Sequence, residues 1–295
     1  MNKKMLLRSF MFLPAYNTKF IDKALSSNAD ALILDMEDSV PLAQRQSARE
    51  NIIDYNNKGL FNNKNIFIRI NEIGTKDFAE DITQLVLKGI TGFMPSKIMN
   101  AEDVVFLDKM IEVLEIKNNI EVGTIKLSPL IETTSAVMDI NRIAKASKRL
   151  VALCFGGEDY LNDLGSTYTY QESAFVMPRA MIVNAARAAG LLPIDTPYLN
   201  IADVEGFEEK ERAAYKNGFA GCLILNPKQI DPANRAFSPD EEKVEYSKRV
   251  IEAVEVAAVE NQSGVAMLDG SMIGPPMRKR AQNVLEQVAL INSKE

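Results

Sequence analysis

The sequence predicts an α/β fold of the (β/α)₈ TIM-barrel class followed by a C-terminal helical extension. Eight short apolar segments recur along the 295 residues. Most are continuous apolar runs rather than alternating ones, as expected of parallel strands covered on both faces. The stretches between them are long enough for helices, and regular β/α alternation is the signature of a barrel.

The expected strands are SFMFLP (9–14), ALILDM (31–36), NIFIRI (65–70), TGFMPS (91–96), IKLSPLI (125–131), LVALCFG (150–156), LLPIDTPY (191–198) and CLILNP (222–227). Helical spacing of apolar residues places helices at 18–27, 77–88, 101–116, 135–147, 174–189 and 205–217, with Gly190 suited to end the fifth of these. After NPKQI the pattern changes. A long helical stretch spans 239–261, opened by Ser238 as N-cap and Pro239 at the first helical position. A turn-rich piece (265–276) and a last helix (277–291) follow. The division expected is a catalytic barrel over 1–237 and a helical lid or oligomerisation arm over 238–295.

Composition narrows the chemistry. A net charge of −6 with no basic block argues against a nucleic-acid surface. No apolar run approaches the ~18 residues needed to cross a bilayer, and Arg8 interrupts the basic-then-apolar N-terminus, so a cytoplasmic protein is expected. Cys154 and Cys222 lie in apolar runs without metal or redox spacing and read as core packing. The chain contains no histidine. Histidine-based nucleophile systems and His-ligated zinc or iron are thereby excluded, and any metal must sit on oxygen ligands, which selects Mg²⁺, Mn²⁺ or Ca²⁺.

Barrel active sites lie at the C-terminal ends of the strands. Those ends carry Glu37 and Asp38, Arg69, Lys97, Glu132, Glu158 with Asp159, and Asn226. Acids and two cations thus converge on one rim. Glu132 and Asp159 follow neighbouring strands and can share a divalent cation; the alternative is that they cap the helices after them. Arg69 is either half of a buried ion pair with Glu37 or another rim acid, or a guanidinium fork facing a substrate carboxylate or thioester oxygen. Glu37 and Asp38 are helix caps or orienting groups beside the metal. Lys97 is a further candidate contact, and Asn226, before Pro227, either faces substrate or shapes the turn.

The motifs RSFMFLP, ALILDMEDSV, IRIN, PLIET, GGEDY–NDLG, NAARAAGL, PIDTPY, GFAGCLILNPKQI and LDGSMI, in this order, resemble the citrate lyase β-subunit-like branch of the HpcH/HpaI aldolase family of CoA-ester lyases. The resemblance implies a TIM barrel with a C-terminal lid, assembly into trimers or hexamers, Mg²⁺ held by Glu132 and Asp159, an active-site Arg69, and Glu37 with Asp38 beside the metal. It implies a carbon–carbon lyase that cleaves a 3-hydroxy-acyl-CoA of the citryl or citramalyl type into a 2-oxo acid and acetyl-CoA. Three departures stand out: Ala15 for glycine, Ser96 for proline before Lys97, and Cys222 for lysine. A fourth is Gly274, where relatives that cleave malyl- or citramalyl-CoA carry an aspartate that reaches a neighbouring subunit. Two other readings are a CoA-independent class II aldolase acting on a 2-oxo acid, and a CoA-binding scaffold subunit of low activity.

Overall fold

Eight parallel strands form the wall of a barrel: β1 (Ser9–Pro14), β2 (Ala31–Asp35), β3 (Asn65–Ile70), β4 (Gly92–Pro95), β5 (Lys126–Leu127, resuming at Leu130–Ile131), β6 (Ala152–Phe155), β7 (Leu192–Asp195) and β8 (Gly221–Ile224). The computed structural model describes residues 5–166, 172–260 and 264–294. Position 261, the expected end of the long helix, lies outside them, as does the start of the basic N-terminus.

β1 pairs with both β2 and β8, so the first and last strands meet. The ring is completed through β5, which Pro129 interrupts because proline has no N–H to give a ladder. Pairing nevertheless continues on both sides. The Ser128 N–H donates to the Phe93 carbonyl, the Leu127 N–H to that of Arg149, and the Cys154 N–H to that of Pro129. β2, β4, β6 and β8 are buried along their whole length, which is why they read as unbroken apolar runs.

Helices cover the wall, several started by side-chain caps at Asn17, Thr75, Thr133 and Asp203. Gly190 ends the helix Glu172–Ala189 with φ +73°. Three helices were not anticipated: Arg45–Asn57, Gly157–Leu164 and Ile230–Ala236. Arg45–Asn57 buries Ala48, Arg49, Ile52 and Tyr55, but nine of its thirteen residues are polar or charged, which hides that face; Arg49 is buried because Asp77 and Asp81 pair with it at 2.8 and 2.7 Å. Gly157–Leu164 is short and carries Glu158 and Asp159 in its first turn. The expected helix at 135–147 is two shorter ones, Thr134–Met138 and Ile140–Ile143. Arg8, read as breaking an apolar run, is buried on Asp30, its Nε donating at 2.9 Å.

The chain divides into two compact units, Leu7–Phe237 and Ser238–Glu295 with Met1–Leu6. In the second, helices Glu241–Glu260 and Pro275–Asn292 flank a hairpin, Ala266–Leu268 with Ser271–Ile273, around Val250, Val254, Ile273 and Ala281. The turn-rich piece is therefore ordered β structure. Asp269 and Gly270, at φ +50° and +76°, supply the tight turn that an Asp-Gly pair favours. The long helix starts two residues later than expected, after Asp240, whose carboxylate accepts the Lys243 N–H at 2.8 Å. Gly274 precedes Pro275–Asn292 in extended backbone (φ −128°), and a Cβ there would meet nothing nearer than 3.8 Å. Among the described residues no helix is long and apolar enough to cross a membrane.

Candidate active site

The rim is organised by a residue that the sequence reading passed over. Asp35 is the last residue of β2, 1% exposed, and its two oxygens accept Nε and Nη2 of Arg69 at 2.7 Å each. β2 and β3 are in register here, Asp35 opposite Arg69, so the side-on fork follows from strand pairing. The same carboxylate accepts the N–H groups of Glu37 and Ser39 at 3.0 Å, which fixes the loop after β2. Burial raises the Asp35 pKa, but hydrogen bonds and charge from Arg69 outweigh it and hold the carboxyl below its ordinary range. The guanidinium lies 4.9 Å from the Phe12 ring centroid, so its plane is packed as well as bonded.

With Nε and Nη2 taken, Nη1 of Arg69 meets Glu37 at 3.1 Å and Asp38 at 3.2 Å. Glu37 also faces the Lys97 ammonium at 3.5 Å. Burial lifts the Glu37 pKa despite these cations. The sequence alternatives for Arg69 turn out to be compatible: it is ion-paired, chiefly with Asp35, and it also lines the cavity at the strand ends.

That cavity, of about 430 Å³, is lined by apolar side chains that include Phe12, Leu223 and Leu225, and by the charged side chains Asp38, Arg69, Glu132, Glu158 and Asp159. Glu132 is 2% exposed, one oxygen accepting the Lys97 backbone N–H at 2.6 Å. Burial is the main reason its pKa stands at about 8, with the nearby charge of Asp159 adding to the rise. The Gly156–Gly157 pair is what allows this packing. A Cβ at Gly156 would lie 2.6 Å from Oε2 of Glu132, and one at Gly157 2.6 Å from the Thr196 hydroxyl oxygen, which accepts the Gly157 N–H at 2.9 Å.

Glu132 and Asp159 thus border one cavity, as their strand positions suggest, and neither spends its carboxylate on a following helix in the described hydrogen bonds. Thr133, not Glu132, caps the helix Thr134–Met138. Asn226 is different: its carboxamide oxygen accepts the Lys228 N–H at 3.0 Å as the cap of the Pro227–Gln229 turn, and it is not among the cavity-lining residues. The turn-shaping alternative describes it. Lys97 likewise does not line the cavity; its ammonium turns to Glu37 and its backbone to Glu132.

Six carboxylates (Asp35, Glu37, Asp38, Glu132, Glu158 and Asp159) therefore stand on this rim, and the ion pairs of Arg69 and Lys97 go to Asp35, Glu37 and Asp38 alone. Among the described residues no group of three His, Cys, Asp or Glu side chains is disposed to enclose a metal. A hard cation that keeps several waters needs only one or two protein carboxylates, and the surplus negative charge with a buried Glu132 fits one.

Residues 8–227 match the HpcH/HpaI aldolase/citrate lyase family. Citrate lyase subunit beta of Haemophilus influenzae is 32% identical over 282 residues, 96% of this chain and 97% of the relative. L-malyl-CoA/beta-methylmalyl-CoA lyase of Rhodobacter capsulatus is 28% identical over 303 residues, 96% and 95% of the two chains. The crystal structure of CitE from Mycobacterium tuberculosis in complex with magnesium, acetoacetate and coenzyme A resembles this one with a TM-score of 0.77 at 28% identity, covering 95% of this chain and 97% of that one.

Proposed function

Because the chain belongs to the HpcH/HpaI aldolase/citrate lyase family, we propose that it is a Mg²⁺-dependent carbon–carbon lyase. It cleaves a 3-hydroxy-acyl-CoA of the citryl or citramalyl type into a 2-oxo acid and acetyl-CoA. The observation that carries this reading is the buried Glu132 carboxylate sharing a cavity with Asp159 and with an Arg69 already locked by Asp35. Glu132 and Asp159 hold the cation. Mg²⁺, when bound, supplies Lewis acidity toward the oxygen that becomes the ketone.

The chain's own residues do the rest. Asp35 and Phe12 fix the guanidinium so that no reorganisation is needed when charge develops on substrate. Arg69 then stabilises the oxyanion character of the departing acetyl-thioester enolate. Asp38 flanks Nη1, lines the cavity and is the rim carboxylate placed to accept the hydroxyl proton, while Glu37 holds Nη1 from outside the cavity lining. Loss of that proton breaks the carbon–carbon bond and leaves the electron pair on the acetyl carbon, which takes up one proton, returned by the same carboxyl group or by water, to give the thioester. Leu223 and Leu225 give the substrate chain an apolar wall. The unit after Phe237 acts as lid and contact arm of a homo-oligomer, and the protein works in the cytoplasm.

The test is a mass-spectrometric screen of 3-hydroxy-acyl-CoA thioesters with Mg²⁺ and with chelator. Acetyl-CoA forming from a citramalyl- or citryl-type thioester only when Mg²⁺ is present is the expected result. Turnover confined to CoA-free 2-oxo acid aldols would replace this reading with the class II aldolase one.

Gly156→Ala tests the packing. The backbone there (φ −97°) suits alanine, so the effect is steric: the methyl group displaces the Glu132 oxygen it would meet at 2.6 Å. Mg²⁺ affinity should fall about 10–100-fold, the scale seen when a ligand's supports are disturbed, with the circular dichroism spectrum unchanged. Undiminished affinity by calorimetry would mean Glu132 is not where the cation sits.

A further inference from the structure

Beyond the ligands themselves, the turn after β4 has an unusual backbone. Lys97 has φ +51°, one of three non-glycine residues in the left-handed region among the described residues. The other two, Asn119 and Asp269, are of types that tolerate that region; a lysine brings no such tolerance. The turn is pinned on both sides. The Ser96 hydroxyl donates to the Ile70 carbonyl at 3.1 Å, and the Thr133 hydroxyl donates to the Ile98 carbonyl at 3.0 Å. Between these ties the Lys97 N–H is aimed at Oε1 of Glu132, 2.6 Å away. The other oxygen, Oε2, is the one packed toward the Gly156 backbone at the cavity wall.

We infer that Lys97 is a positioning residue whose left-handed backbone amide occupies one oxygen of Glu132, leaves the other as a single-oxygen ligand, and so tunes the site to Mg²⁺ or Mn²⁺ rather than Ca²⁺. This rests on the reading of Glu132 as a cation ligand and goes beyond it to cation selectivity. Ca²⁺ gathers six to eight oxygens and often takes carboxylates through both. Mg²⁺ takes an octahedron from one or two single-oxygen carboxylates and waters. The short N–H bond fixes the carboxylate's orientation through Oε1, so a cation seated on Oε2 would reach both oxygens only by turning the group and bending that bond. The selectivity therefore resides in the backbone and not in the lysine charge.

The experiment is calorimetric titration of the full chain with Mg²⁺ and, separately, Ca²⁺, for wild type, Lys97→Gly, Lys97→Met and Lys97→Ile. Glycine keeps the left-handed amide without a side chain, and methionine keeps the stem without the charge. Both should hold the Mg²⁺-over-Ca²⁺ preference within about threefold of wild type, and the glycine variant should melt no lower, since its backbone strain is relieved. Isoleucine, β-branched and poorly suited to positive φ, should shift the turn and cut the preference about tenfold or more. Equal loss in the glycine and methionine variants would assign selectivity to the ammonium and overturn the inference. Should Lys97→Ile not fold, infrared spectra of the Mg²⁺-loaded wild type decide: carboxylate splitting of the single-oxygen kind is expected, and a two-oxygen pattern contradicts it. Wild type binding both ions equally sinks only this inference, whereas binding neither sinks the metal reading on which it stands.

Discussion

Glu132→Gln is expected to abolish Mg²⁺-dependent cleavage, lowering kcat/KM by about 10³-fold or more, the equivalent of the several (~4) kcal/mol that Lewis-acid catalysis contributes, while the barrel stays folded. Glutamine is isosteric, and its carbonyl can still accept the Lys97 N–H, so the turn is preserved. What disappears is the charge. Stability should respond in the opposite direction. With the Glu132 pKa lifted from 4.5 to about 8, the folded protein holds more protons than the unfolded chain between those values. Metal-free wild type therefore loses stability as pH rises through that window, and the loss is complete above pH 8. Glu132→Gln lacks this dependence and should melt at or above the metal-free wild type at pH 8.5. Mg²⁺ binding must also expel the Glu132 proton, so apparent affinity should climb about tenfold per pH unit up to roughly pH 8 and then level. Thermal melts and calorimetry across pH 6–9 check both statements; a Glu132→Gln variant that cleaves normally refutes the assignment.

Arg69→Met carries the second large effect. Loss of one preorganised donor to the developing oxyanion should lower kcat about 10²–10³-fold, near 3–4 kcal/mol. Arg69→Lys should recover little, because an ammonium cannot fork to Asp35 through two nitrogens. The stability change is also large. Asp35 is 1% exposed, and removing its partner leaves a buried, unpaired carboxylate, a defect of about 3–5 kcal/mol. In wild type the depressed Asp35 pKa contributes stability above its unfolded value of 3.8 that is lost on acidification. Without Arg69 the carboxyl's pKa is raised by burial instead, so on going from pH 8 to pH 5 Arg69→Met should gain more stability than metal-free wild type, which gains only through Glu132. A melting temperature that rises no more than that of metal-free wild type over that interval, in a variant with normal kcat, would show that the pair is neither structural nor catalytic.

Much of this was legible in the sequence, for identifiable reasons. Parallel strands buried on both faces leave unbroken apolar runs, and the eight segments all reappear as strands, the fifth split by its own proline. The rim rule then located Glu37, Asp38, Arg69, Glu132 and Asp159 without a structure. Asp35 was missed because it sits inside ALILDM, where one acid looks like an interruption; as the last residue of a barrel strand it was itself a rim position. The helix Arg45–Asn57 was missed because part of its buried face is Arg49, whose partners lie on another helix. Asn226, at a rim position, turns its carboxamide oxygen to the Lys228 N–H of the Pro227–Gln229 turn, a local role that residue type alone does not separate from a substrate contact. The Lys97 amide had no signal at all, since backbone conformation is not written in residue type when the residue is lysine.

We propose above that Glu132 and Asp159 grip one hard cation at the mouth of the barrel. Anomalous diffraction from a Mn²⁺-soaked crystal tests it most directly. One peak within about 2.3 Å of an oxygen from each of the two carboxylates, the distance of a direct ligand bond, is the predicted result. A peak bound elsewhere, or a cavity that stays empty at saturating Mn²⁺, contradicts it.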